Sequence, residues 1–158
     1  HKATRELLAI APRYCELIES LDEDYRGSLS QLNEFLPRLH AAMTAVGPSP
    51  DEAGYDPSVD LDKRFELFSR LHALLGDLDG YWMEYDVTPD RQEMSGSLAD
   101  DLTDIYCELK HGLTRLERYD DARETLGGWR TGFCKHWGQH VVDAERHLYA
   151  LSARDRLY

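Results

Sequence analysis

The sequence predicts an all-α fold, an antiparallel bundle of five main helices. Three observations carry this expectation. Apolar residues recur three and four apart along most of the chain, capping and glycine–proline signals punctuate them, and no stretch shows strand-like polar–apolar alternation. The 158 residues suffice for a full core and read as one helical domain over 1–158. A hydrophobic content of 42% places the chain among globular rather than disordered sequences.

In the first helix Leu7, Ala11, Tyr14, Cys15, Ile18 and Leu21 share one face, and Pro12 predicts a kink or a late start. "EDYRGS" ends it, with Gly27 or Ser28 opening the second. There Leu29, Leu32, Leu36, Leu39, Met43 and Val46 form a seam widened by Phe35 and Ala42, and Pro37 predicts a bend. "GPSPDEAGYDPS" reads as the longest loop. Its acids do not match a calcium-binding loop, because Ala53 and Tyr55 stand where oxygen ligands are needed.

A third helix is expected from about Asp60 to Tyr85, with Leu61, Phe65, Phe68, Leu71, Leu75, Leu78 and Trp82 inward. "DVTPDRQEMSG" then connects to a fourth helix, opened by a Ser97/Asp100 capping pair and lined by Leu98, Leu102, Ile105, Leu109, Leu113 and Leu116. The last helix follows Tyr119 and runs to about Arg154. Leu126, Phe133, Trp137, Ala144, Leu148 and Leu151 lie inward; a break at Gly127–Gly128 would make six helices in all. Helices one, two and five are thus expected to be kinked or interrupted.

The net charge of -12 argues against nonspecific nucleic-acid binding and against an anionic membrane surface. Residues 129–158 are +2, which suits acidic neighbours within one fold. Three cysteines without a CxxC pair do not form a disulfide framework, so a reducing cytoplasm is expected and each thiol reads as a small apolar filler.

One stretch invites a chemical reading. In "FCKHWGQHVVDAERHLYAL", His136, His140, Asp143 and His147 fall within about 60° of one another on a helical wheel. His136 and His140, four apart, have the spacing of a shared metal ion, and Asp143 could join them. The zincin signature fails, since "HWGQH" lacks the catalytic glutamate. On the fourth helix Asp101 and Glu108 flank the apolar seam, with Asp104 and His111 further round. Together with His147 these make a possible ligand or interaction cluster. "ELKH" has the Glu-x-x-His spacing of di-metal bundles once, where that pattern needs it twice.

The bland reading of these groups is preferred: histidines and acids hydrogen-bonded at helix boundaries, with no cofactor. No nucleophile elbow, phosphate loop or dinucleotide fingerprint is present, so catalysis is not expected.

"SLADDLTDIYCELKHGL" and "FCKHWGQHVVDAERHLYAL" resemble a bacterial family of helical proteins, domain of unknown function 5063. The likeness rests on "DIYCEL" and on His136-Trp137-Gly138-Gln139, and implies a bacterial helical domain without assigning chemistry. The function expected is therefore protein interaction with an unidentified partner. The alternative is a metal- or small-ligand-binding protein using the cluster on the last two helices.

Overall fold

A computed structural model of the protein describes residues 2–48, 59–85 and 92–154. Helices α1 (Lys2–Glu19), α2 (Tyr25–Val46), α3 (Leu61–Leu75), α4 (Leu98–Tyr119), α5 (Ala122–Gly132) and α6 (Gly138–Ala153) form the bundle. Phe133–Trp137 is a π-turn with right-handed helical backbone at both flanks, so α5 and α6 are one rod with a single interruption. The expected five main helices are present.

Along α1 and α2 the core is the one the periodicity marks, with Val46 half-buried; Leu113, Leu116, Leu126 and Phe133, expected inward, are also half-buried. Leu7, Ala11, Tyr14, Cys15, Ile18 and Leu21 are buried, as are Leu29, Leu32, Phe35, Leu36, Leu39, Ala42 and Met43. α4 is central and packs on α1, α3, α5 and α6, while α2 covers α1 and α6. α1 and α2 run through Pro12 and Pro37 without ending, and α2 begins at Tyr25, before Gly27 and Ser28.

Helix ends are held by specific groups. Arg70 on α3 donates to the carbonyls of Leu21 and Ile18, at 2.7 and 3.1 Å, and so closes α1. Ser97 Oγ accepts from the Asp100 amide at 3.2 Å, the cap that the sequence predicts. Asp79 adds a second anchor: its carboxylate accepts from the Ala99 amide at 2.7 Å and from the Ser97 hydroxyl at 2.8 Å.

The third helix is shorter than expected. Gly76, at φ 53°, ends it after Leu75; a 3-10 turn, Gly76–Leu78, follows, and the chain then forms an antiparallel hairpin of β1 (Gly80–Tyr85) and β2 (Gln92–Ser97). The expectation of no strand anywhere is thus corrected. Trp82 is 72% exposed rather than inward, because it lies on the outer face of β1. Leu61 and Phe65, expected in the core, are also exposed, while Leu71, Leu75 and Leu78 are buried.

The rod breaks its α pattern at Phe133–Trp137, not at Gly127–Gly128. Cys15 is buried as expected, Cys107 is half-buried, and Cys134 is exposed. The loop with the calcium question falls largely on residues 49–58, outside the described residues. No helix among the described residues is long and apolar enough to cross a membrane.

Candidate metal centre

Asp101, Asp104 and Glu108 are three and four residues apart, so they share one face of α4. That face meets the rod where the π-turn passes into α6, the place of His136 and His140. The π-turn requires Gly138. Its amide bonds back to the Phe133 carbonyl, and a methyl on Gly138 would sit 2.5 Å from that oxygen and 3.2 Å from the Phe133 ring.

Both histidines use their two ring nitrogens in the same way. His140 Nδ1 lies 2.8 Å from Asp101 Oδ1, and His136 Nδ1 lies 3.3 Å from Glu108 Oε1. Their Nε2 atoms both face Asp104 Oδ2, at 2.9 Å for His140 and 3.8 Å for His136. The other oxygen of Asp104 accepts from Arg64 Nε at 2.8 Å, and Arg64 also donates to Asp100 at 2.6 Å. Tyr81, from the hairpin, donates to the second oxygen of Asp101.

Two sets of potential ligand atoms lie within 4.8 Å of one another: Asp104, His136 and His140, and Asp100, Asp101 and His140. Tetrahedral metal bonds of about 2.0–2.2 Å hold neighbouring ligand atoms roughly 3.3–3.6 Å apart, so on closing round an ion His140 Nε2 would move out from 2.9 Å and His136 Nε2 in from 3.8 Å relative to Asp104.

Electrostatics follow from this packing. Burial works against a charged His140, but hydrogen bonds to Asp101 and Asp104 outweigh it and raise the imidazole to about 10. A carboxylate at each nitrogen favours the imidazolium, so an ion binding at His140 Nε2 would displace the proton held there against Asp104. Burial also works against an ionised Asp104, yet hydrogen bonds from His140 and Arg64 bring it down to about 2. Asp101 is the more desolvated acid; burial pushes it up to about 6, against the lowering effect of His140 and Tyr81.

The candidates from sequence divide clearly. His136, His140, Asp101, Asp104 and Glu108 come together. Asp143 does not join either set; its carboxylate accepts from Gln139 at 2.9 Å, and Asp104 stands in the place expected for it. His111 is exposed on α4 and belongs to neither set. His147 is buried, with Nε2 2.6 Å from the Leu78 carbonyl, and packs on the Tyr81 ring.

Sequence reading missed Arg64, Asp100 and Tyr81. Arg64 carries no local signal, because its role depends on how α3 docks on α4. For Tyr81 a signal existed: "GYWMEY" is rich in strand-forming residues.

A search of the curated proteins gives no match. Among solved structures, the chain is similar to the crystal structure of protein BF1032 from Bacteroides fragilis. The TM-score is 0.74 at 18% identity, covering 96% of this chain and 92% of that one, a likeness of fold. The sequence model of "Domain of unknown function (DUF5063)" matches residues 1–154, and the chain belongs to that family.

Proposed function

We propose that the protein binds a divalent transition-metal ion through Asp104, His136 and His140. One observation carries this reading: two histidines turn their Nε2 atoms to the same carboxylate oxygen, Asp104 Oδ2, while each Nδ1 is held by its own separate carboxylate. A metal-bound histidine characteristically donates its other ring N–H to a carboxylate or carbonyl, which fixes tautomer and ring plane. A purely structural ion pair needs only one acid per histidine. Imidazole ligands suit zinc, copper, iron, nickel or cobalt, whereas magnesium, calcium and manganese prefer oxygen ligands. The four acids Asp100, Asp101, Asp104 and Glu108 outnumber the Arg64 guanidinium and the His140 imidazolium beside them, which also favours an added cation.

The test is zinc and cobalt titration of protein purified without a metal-affinity step, with metal content measured beforehand. Saturable binding at one ion per chain, lost in His140→Ala and Asp104→Ala, is expected. Absence of saturable binding of either ion by a folded protein would sink the reading.

A second reading, protein interaction, is favoured by one observation. Leu61 and Phe65, one turn apart on α3, are both exposed apolar side chains. Recovery of a partner whose binding is lost in Phe65→Glu supports it; a partner indifferent to that change counts against this face.

A further inference from the structure

Tyr81 is held in place from three directions. It pairs in register with Gly96 on β2, and any side chain at Gly96 would collide with its ring; an added methyl carbon would lie 2.7 Å from the phenol oxygen. The ring packs on the His147 imidazole, centroids 4.8 Å apart, and His147 is itself tied to the Leu78 carbonyl at 2.6 Å. The hydroxyl then donates to Asp101, whose other oxygen lies 2.8 Å from His140 Nδ1. Burial, with Asp101 adjacent, pushes the phenol pKa upward, so Tyr81 remains a donor.

We propose that Tyr81 is a positioning residue of the metal centre, and that the hairpin sets ion affinity through the chain Gly96–Tyr81–Asp101–His140. This inference rests on the metal-binding reading above. Tyr81 fixes the Asp101 carboxylate, and Asp101 fixes the tautomer and plane of His140, leaving Nε2 toward Asp104. Asp101 is the direct outer partner of His140, a place where removal commonly changes affinity by about 10–100-fold, and Tyr81 acts through it.

The hairpin therefore does more than cover the bundle. A two-stranded ribbon is marginal by itself, and here its root is pinned by Asp79 to the start of α4. Tyr81 links it to α4 a second time, beside the ligand carboxylate. Ion affinity and hairpin docking become two readings of one contact.

The experiment uses the full chain and measures zinc affinity by competition with a chromophoric chelator, alongside the visible spectrum of the cobalt-loaded protein. Tyr81→Phe, which removes only the hydroxyl, is expected to weaken zinc binding about 10–100-fold and to alter the cobalt spectrum. Gly96→Ala should displace the ring and reproduce both effects, and the double variant should be no weaker than the stronger single one. Trp82→Ala, on the outer face of the same strand, should change neither. Gly96→Ala, in which every side chain of the centre remains, serves if Tyr81→Phe fails to fold. Wild-type affinity and spectrum in a folded Tyr81→Phe overturn the inference and leave the metal reading standing. A wild-type protein that binds neither ion overturns both.

Discussion

Trp137 donates its indole N–H to the carbonyl of Trp129, eight residues earlier in the same rod, at 3.2 Å. The bond spans the π-turn, and both rings are buried, so the irregular turn is clamped from inside the core. The Phe133 ring meets Trp137 edge-on, with centroids 4.9 Å apart.

Trp137→Ala should therefore destabilise by about 3–5 kcal/mol, the range for deleting a large buried aromatic. Trp137→Phe keeps most of the volume and should lose less, in part the indole hydrogen bond at about 1 kcal/mol. Denaturant midpoints at constant slope measure both. Equal losses for the two variants would show that the indole bond, not the volume, dominates.

Gly138→Ala should lower the melting temperature even though alanine favours helices by about 1 kcal/mol. The methyl group would meet the Phe133 carbonyl at 2.5 Å, and backbone cannot move aside as a flexible side chain can. The sequence predicts a close approach of another helix's backbone or of a large ring at Gly138; the ring is that of Phe133, but the backbone is the rod's own, at the Phe133 carbonyl, and not another helix's. A higher melting temperature would mean that the turn relaxes freely.

Gly112→Ala tests the other end of the same packing. A methyl there would collide with the Trp129 indole nitrogen and lie 2.7 Å from its Cε2, disturbing the indole bond to the Glu108 carbonyl. A cost of about 1–3 kcal/mol is expected from overpacking, with a shift in tryptophan emission. Unchanged stability and emission would contradict the tight fit.

Asp79→Ala should cost about 1–3 kcal/mol, because it strips a buried acceptor from the Ala99 amide at the start of α4. Asp79→Asn retains an acceptor and should recover part of the loss. If alanine and asparagine behave alike, the carboxylate charge is what matters there.

Thiol labelling at pH 8 should find one fast cysteine per folded chain, Cys134, which is exposed. Burial raises Cys107 to about 11 and Cys15 to about 12, so neither supplies much thiolate at that pH. Cys15 should react only as the protein unfolds. Rapid labelling of Cys15 in a Cys134→Ser protein would contradict its burial.

The helices were legible because burial against a bundle imposes a 3.6-residue period, and the α1 and α2 seams follow it almost without exception. The hairpin was not. Leu71, Leu75, Leu78 and Trp82 keep helical spacing across the helix end, so periodicity alone carries the helix on to Tyr85. Only Gly76 in a left-handed conformation and the strand-prone "GYWMEY" mark the change. At the centre, His136, His140, Asp101, Asp104 and Glu108 were visible as helix edges. Which acid faces which histidine depends on how α4 docks on α6 and on the π-turn, and a regular helical wheel represents neither. Asp143 was favoured over Asp104 for that reason.

The central place of α4 has a consequence for motion. Four helices lean on it, and the Tyr14 hydroxyl, wholly buried, reaches across from α1 to the Leu102 carbonyl at 2.8 Å. No single neighbour can detach and leave α4 open to water. Amides around Leu102 to Leu109 should therefore exchange with deuterium only through global unfolding, whereas those of the hairpin should exchange through smaller, local openings. Asp101 and Asp104 thus sit on the helix expected to open last, and Tyr81 reaches Asp101 from a hairpin expected to open locally.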